Sequence, residues 1–145
     1  RFLADAPIDK SQAIHVARQA KLSTRDDHCT ISMGFADGSI GTLHYFANGH
    51  RSFPKEQLTV CCDGKVLELD NFRILSGFGW QKFRKHKLMR QDKGHAEEVR
   101  QFIERVEQGG DALIPFEELC NVTEVSIECS ELAAPVGRPA ETIVS

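Results

Sequence analysis

The sequence predicts an α+β protein, with a mostly antiparallel, open-faced β-sheet and helices packed on one face of that sheet. Short strand-like segments in the middle of the chain are joined by Asp-Gly pairs, which are typical of tight hairpin turns. The last third of the chain changes to the spacing of apolar residues that marks amphipathic helices. Hairpins in series form a meandering antiparallel sheet, because parallel strands would need long crossover connections.

The first predicted hairpin covers TISMGFADGSIGTLHYF, residues 30–46. Asp37-Gly38 provides its turn, since glycine tolerates the positive φ that a type I′ turn requires. The returning strand has apolar side chains on both faces, namely Ile40, Leu43, Tyr45 and Phe46. We therefore expect protein to pack against both sides of this strand.

A second predicted hairpin joins QLTVCC to KVLELD through Asp63-Gly64. Two further strands are expected in NFRIL, residues 71–75, and in KFRKHKLMR, residues 82–90. Together these segments predict one continuous antiparallel meander.

Two helices are predicted in the last third of the chain. The first, HAEEVRQFIERVEQGG, ends at Gly109-Gly110 and has an apolar face made by Val99, Phe102, Ile103 and Val106. Pro115 suits the first turn of the second helix, FEELCNVTEVSIECSELAA. The side chains expected to be buried on that helix are Leu119, Val122, Ser126, Cys129 and Ala133.

Charge and cysteine content exclude several classes of function. The net charge of -3 gives no overall positive field that would attract nucleic acid or anionic lipid. No apolar run approaches the roughly 20 residues of a membrane-spanning helix. The five cysteines lack zinc-site spacings, and their odd number argues against a closed disulfide framework. We expect reduced, mostly buried thiols, no metal site and a cytoplasmic location.

The loop ANGHRSFPKEQ, residues 47–57, is the strongest candidate for ligand binding. Asn48-Gly49 is a turn signal, and Phe53-Pro54 holds the chain extended between polar and charged residues. Such a loop at the end of a sheet suits a polar or anionic ligand. A solvated surface loop is the alternative.

Three other features contain residues that are typical of binding or catalytic sites. The basic segment 82–93 suits phosphate or nucleic acid, but a lysine-rich edge strand that discourages aggregation fits its composition better. Gly77 and Gly79 in SGFGW lack the third glycine and the βαβ unit of a dinucleotide fingerprint. His95 opens the first helix, where it is either a proton-transfer or ligand contact or a capping and packing residue.

The order of these elements resembles the C-terminal domain of the Gfo/Idh/MocA family of NAD(P)-dependent oxidoreductases. The likeness covers nearly the whole chain, through RFLADAPI, MGFADGSIGTLHYFANG, VCCDGKVLELDNF, GHAEEVRQFIERVEQGG and IPFEELCNVTEVSIECSELA. HYFANGHRSFPKE, LDNFR and DKGH look most like a subgroup in which this module can follow a medium-chain alcohol dehydrogenase-like half.

The resemblance implies that residues 1–145 form a single C-terminal domain for substrate binding and oligomerisation. The family's N-terminal Rossmann domain, with its dinucleotide fingerprint and catalytic lysine, is absent from the sequence. RFLADAPI looks like the end of the helix on which the family's catalytic Asp and His lie, and no position of this sequence matches those two residues, so no catalytic residue is assigned here. The fragment alone is expected to be inactive.

The resemblance also implies a chemistry, namely hydride transfer between NAD or NADP and a carbon that bears a hydroxyl group on a sugar, cyclitol or nucleotide-sugar. This chain would supply the substrate-side wall and a subunit interface of a homo-oligomer, and would bind no cofactor, nucleic acid or membrane itself. Polarity and placement select the expected substrate contacts, which are Tyr45, Asn48, His50, Lys55 and His95.

Two other functions stay open. The chain could be a stand-alone binding module that holds phosphorylated ligands or nucleic acid on the basic strand 82–93. It could also be a purely structural dimerisation domain with no ligand.

Overall fold

The computed structural model describes residues 1–15, 28–47 and 49–131. Its elements in chain order are β1 (Ile8–His15), β2 (His28–Phe35), β3 (Ile40–Phe46), β4 (Gln57–Cys62), β5 (Lys65–Asp70), β6 (Ile74–Phe78), β7 (Lys85–Lys87), α1 (His95–Gln108) and α2 (Phe116–Glu131). All strand pairs are antiparallel, so the predicted α+β class with open antiparallel sheets is confirmed.

The strands form two sheets, and the chain divides into two compact units. One unit comprises Arg1–Asn48 with Ile114–Ser145, and the other comprises Gly49–Leu113. The single antiparallel sheet that the sequence predicts is thus divided into two. A single domain over residues 1–145 stays a prediction.

The first unit contains a three-stranded sheet in the order β1-β2-β3. The predicted hairpin joins β2 to β3, but its turn is not the predicted type I′, because Gly38 has a positive φ of 87° and Asp37 does not. The N–H of Gly38 donates to the carbonyl of Phe35 at 2.9 Å. β1 adds a strand to those predicted, because its largely polar sequence IDKSQAIH lacks a clear alternation of apolar residues.

β3 is an outer strand of this sheet and its apolar side chains are exposed. The exposed fractions are 87% for Ile40, 46% for Leu43, 52% for Tyr45 and 56% for Phe46. The expected packing against both faces of this strand is therefore not met by the part of the chain that the structure describes.

The most buried part of the first unit lies where α2 packs against β1. The buried apolar residues of the described chain are Ala6, Ile8, Cys29 and Cys129. His15 also ties β1 to α2, since its Nε2 lies 3.0 Å from the carbonyl oxygen of Cys129.

The predicted buried face of α2 is wrong except at Cys129, which is 1% exposed. Leu119, Val122 and Ser126 are all exposed, and Ala133 lies outside the described residues. The half-buried Asn121 and Val125 precede Cys129 at helical spacing instead. A polar contact explains the difference, because the Asn121 amide bonds to the backbone of Ile8 and so sets which face of α2 turns towards β1.

The second unit contains a four-stranded meander in the order β4-β5-β6-β7. The predicted Asp63-Gly64 turn is confirmed, with φ values of 49° and 69°. The strand predicted at residues 71–75 begins only at Ile74, because Asn71 and Phe72 form the turn that precedes it.

α1 begins and ends where the sequence predicts, but none of its residues is buried. Its predicted apolar face is 49–68% exposed at Val99, Phe102, Ile103 and Val106. Side-chain contacts within the helix, on its polar face, stabilise it instead. Arg100 bonds to Glu97 and, at 2.5 Å, to Glu104.

The cysteines are less buried than expected. All five thiols are free, and Cys61 and Cys62 of β4 are exposed, so the prediction of mostly buried thiols is wrong for this pair. Cys29 and Cys129 are buried, and burial, followed by the neighbouring Cys129 thiol, raises the pKa of Cys29.

Residues 2–5 form turns, with the N–H of Asp5 donating to the carbonyl of Phe2 at 3.3 Å, and not the helix end that RFLADAPI predicts. Neither of the two helices described is long and apolar enough to cross a bilayer.

Candidate functional site

One cavity of the second unit coincides with the predicted ligand loop. This basic cavity is lined by residues 51–56, Asn71, Gln91 and Lys93, and has a volume of about 350 Å³. Small-molecule sites commonly span ~300–1,000 Å³, so the basic cavity has room for a ligand of modest size.

Three segments of the chain are tied together to form the basic cavity. The loop before β4 is fixed to the β5–β6 turn, because the N–H of Asn71 donates to the carbonyl of Glu56 at 2.7 Å. The same turn is fixed to the segment before α1, where the N–H of Asp92 donates to the carbonyl of Phe72 at 3.1 Å. Backbone hydrogen bonds thus join the three segments that carry the lining residues.

The β5–β6 turn has an unusual backbone. Asn71 and Phe72 have φ values of 50° and 49°, in the left-handed region. Asparagine tolerates this region, whereas phenylalanine seldom adopts it. Such backbone conformations cost about 1–3 kcal/mol each and cluster at functional sites. Here the turn places the Asn71 side chain at the cavity and the Phe72 ring 5.8 Å from Lys93 Nζ.

The charges that line the basic cavity are mostly positive. Arg51, Lys55 and Lys93 face one carboxylate, Glu56. Lys93 forms an ion pair with Glu56, and each of these two side chains is about one third exposed. Within the described ranges, neither Arg51 nor Lys55 has a carboxylate within ion-pair distance. Among the described residues these two cations are therefore unpaired, and the cavity can use both to bind an anion.

Two amides lie beside these cations. Gln91 Nε2 donates to Asn71 Oδ1 at 2.9 Å. This bond leaves the Gln91 carbonyl oxygen as an acceptor and the Asn71 NH₂ as a donor. A hydroxyl group both donates and accepts, so an adjacent amide donor and acceptor suit a polyol.

A larger cavity of about 450 Å³ lies along α1, and its charges are partly compensated. Arg100 in its lining is bonded to Glu104 and Glu97. Arg105 also lines it and has no ion pair among the described residues. The remaining lining side chains belong to the same helix, apart from Leu113. Among the described residues this cavity thus presents one unpaired cation, where the basic cavity presents two.

The predicted site residues are divided between the two units. Lys55 lines the basic cavity. His50 lies in the same loop, where its Nδ1 is 2.8 Å from Ser52 Oγ, so it shapes the loop without lining the cavity. His95 is exposed, two residues after Lys93. Tyr45 belongs to β3 of the first unit, paired in register with Cys29, and Asn48 lies outside the described residues.

Three lining residues lie outside the predicted ligand loop, residues 47–57. The sequence places Asn71 in a predicted strand, and Gln91 and Lys93 in the basic segment 82–93. The available signal was local, since Asp-Asn before a new strand suits a turn with positive φ. The approach of residues 91–93 to that turn depends on tertiary structure and has no signal in the sequence.

Gly77 and Gly79 are not placed as in a dinucleotide-binding fingerprint. Gly77 lies at van der Waals distance from a ring, since a Cβ added there would be 2.6 Å from Phe83 Cδ1. A Cβ on Gly79 would lie 3.0 Å from the carbonyl oxygen of Gly64. These glycines serve packing within the meander and are followed by β7 rather than by the helix a phosphate site requires.

Metal-ligating side chains are also dispersed. Across residues 1–15, 28–47 and 49–131, no three His, Cys, Asp or Glu side chains are grouped so as to hold a metal ion.

Comparison with family models, with curated proteins and with solved structures finds no match to this chain. The basic cavity and the exposed strand β3 are the features of the described residues that bear on function.

Proposed function

We propose that this chain supplies the substrate-side wall and a subunit interface of an NAD(P)-dependent oxidoreductase that acts on a hydroxyl group of a sugar, cyclitol or nucleotide-sugar. The observation that carries the proposal is the basic cavity, whose lining combines free cations with a paired amide donor and acceptor. That combination suits a small, highly polar ligand better than an apolar one. NAD or NADP would be held by another region of the enzyme.

The subunit interface of the proposal is the outer strand β3. An outer strand presents unpaired backbone N–H and C=O groups, to which another chain can pair. Its apolar side chains, at residues 40, 43, 45 and 46, are 46–87% exposed. A second copy of this chain is the proposed partner, which would bury these side chains in an isologous contact.

Calorimetry and a thermal-shift screen with sugars and nucleotide-sugars test the proposal on the chain as it stands. We expect a specific sugar-like ligand to raise the melting temperature, since binding to the native state alone stabilises it. We expect no heat of binding with NADH. Micromolar binding of NADH by this chain would contradict the division of labour proposed here.

A binding module for phosphorylated ligands or nucleic acid remains the second candidate. The observation in its favour is that β7 is an outer strand with Lys85, His86 and Lys87 all exposed. Such binding would weaken steeply with added salt, because each phosphate contact releases counterions. This candidate would be excluded if the chain did not bind an oligonucleotide, or if its affinity for one did not change with salt concentration.

A structural dimerisation domain without ligand is the third candidate, favoured by the same exposed β3. It predicts a dimer in sedimentation and no thermal shift with any compound of the screen. A specific shift that maps to the basic cavity would favour the first proposal instead.

A further inference from the structure

We infer that the ligand of the basic cavity is an anionic polyol, whose charged group is bound by Arg51 and Lys55 and whose hydroxyls are bound by Asn71 and Gln91. This inference rests on the proposed function and specifies the substrate class of the same site.

The charge balance of the cavity favours an anion. Lys93 is neutralised by Glu56, so this pair contributes little net field. Arg51 and Lys55 remain, both exposed, four residues apart in one loop and without a carboxylate partner among the described residues. A phosphate or carboxylate can accept from both, and charge-assisted hydrogen bonds of this kind are about twice as strong as neutral ones.

The position of the two cations is defined by the surrounding backbone. Pro54 fixes its own φ and keeps the preceding residue extended, which limits the conformations of the loop between Arg51 and Lys55. The N–H of Phe53 donates to the carbonyl of His50 at 2.9 Å, closing a turn around Arg51. Less loop entropy is then lost when a ligand binds.

The amide pair distinguishes a polyol from a bare anion. Asn71 and Gln91 are held to each other by one hydrogen bond, which leaves one donor and one acceptor side by side. Inorganic phosphate is a single tetrahedral group, so it has fewer hydrogen-bonding groups for the two cations and the amide pair together than a sugar phosphate has. A sugar hydroxyl can satisfy both groups, so a ligand with a charged group and hydroxyls uses the whole lining.

The test compares four probes on the full chain by calorimetry and by amide chemical shifts. Glucose 6-phosphate and glucuronate are anionic polyols, glucose is the neutral polyol and inorganic phosphate is the bare anion. We expect either anionic polyol to bind at least about tenfold more tightly than glucose and than phosphate. The amide shifts are expected at residues 51–56 and 91–93. The ratio between the two anionic probes shows whether phosphate or carboxylate is preferred.

A pair of double variants provides the matched control. Arg51→Gln with Lys55→Gln removes two positive charges inside the cavity, and Lys82→Gln with Lys85→Gln removes two outside it. We expect the first to weaken binding of the anionic polyol at least about tenfold, and to weaken binding of glucose by a clearly smaller factor. The second should change neither, although it alters the net charge of the chain equally.

The outcomes separate this inference from the proposed function. Glucose that binds as tightly as the anionic probes would overturn the inference and leave a polyol site in place. Phosphate that binds as tightly as glucose 6-phosphate would overturn the role of the amide pair. If no sugar probe shifts the amides of the cavity, both the inference and the proposed substrate wall fail.

Discussion

The Asn121 side chain bonds to both backbone groups of Ile8, as a residue of a neighbouring strand would. Its Oδ1 accepts the N–H of Ile8 at 2.8 Å, and its Nδ2 donates to the carbonyl of the same residue at 3.0 Å. Backbone groups that are partly buried need partners, and here the edge of β1 finds them on a helix. Although Asn121-Val122-Thr123 matches a glycosylation sequon, the amide is occupied by this contact.

Replacing Asn121 with aspartate should destabilise the first unit by about 1–3 kcal/mol, because the carboxylate cannot donate to the Ile8 carbonyl. Urea denaturation measures this loss. The control is Thr123→Ala, which changes an exposed side chain on the same helix and should alter stability by less than about 0.5 kcal/mol. Equal stability of N121D and the native chain would show that the contact does not set the helix position.

Gly77 is required by a close approach of side chains. A Cβ there would lie 2.6 Å from Phe83 Cδ1 and 3.1 Å from Trp80 Cδ1. The Trp80 ring is itself fixed, since its Nε1 donates to the carbonyl of Val66 at 3.1 Å. There is little room for either ring to move away from an added methyl group.

Gly77→Ala should therefore cost about 1–3 kcal/mol through overpacking. Thermal unfolding of this variant is compared with Gly34→Ala, where an added Cβ meets atoms no closer than 3.5 Å. Adding Phe83→Leu to the Gly77→Ala chain should recover part of the loss, as a double-mutant cycle would show. If the Gly77→Ala chain had the same melting temperature as the Gly34→Ala control, the close packing at Gly77 would be contradicted.

Among the elements, α1 is stabilised through its polar face. Hydrogen bonds from Arg100 and then Gln101 lower the pKa of Glu97 to about 2, while Glu97 and Glu104 raise the pKa of Arg100. Glu97 also lies in the first turn, where a negative charge favours the helix macrodipole. Because no residue of α1 is buried, the helix gains little from apolar packing, and these polar side-chain interactions contribute to its stability instead.

The pH dependence of α1 follows from the depressed pKa of Glu97. Its contribution is present above the unfolded value of 4.5 and is lost as the pH falls towards about 2. Helix content by circular dichroism should therefore differ between the native chain and Glu97→Gln at pH 6, and the difference should vanish near pH 2. Glu107→Gln, which removes a carboxylate without an ion pair in the described ranges, should show a smaller difference. A Glu97→Gln difference that persists at pH 2 would contradict the ion pair as its source.

For the molecule as a whole, apolar exposure is the feature that most needs an explanation. Ile40 is 87% exposed on an outer strand, and large apolar side chains are exposed in both units. Large exposed apolar patches mark interaction sites in folded proteins. The proposed homo-oligomer accounts for the part of this apolar exposure on β3.

Ile40→Lys should shift the chain from dimer to monomer in sedimentation velocity, because it places a charge in the proposed apolar contact. Met89→Lys is the matched control, since Met89 is 94% exposed and lies outside β3. It should leave the sedimentation coefficient unchanged. A dimer that survives Ile40→Lys, or a native chain that is monomeric at high concentration, would remove β3 as the interface.

Local chemistry in the sequence was enough to predict both Asp-Gly hairpins and the bounds of α1. A glycine after aspartate permits positive φ wherever it occurs, and the spacing of apolar residues depends only on helix geometry. The same information predicted that Lys55 belongs to a ligand loop, because charge and Phe53-Pro54 are visible in the chain.

Tertiary structure decided the rest. The rotation of α2 follows from one polar contact, between Asn121 and Ile8, that hydrophobic periodicity cannot show. The basic cavity joins Lys55 to Asn71 and Gln91, which meet only because backbone hydrogen bonds link three distant segments. The sequence by itself determined the fold class, the two Asp-Gly hairpins and the charged loop, since these depend on neighbouring residues. The arrangement of that loop into a cavity depended on long-range hydrogen bonds, which only the folded chain makes.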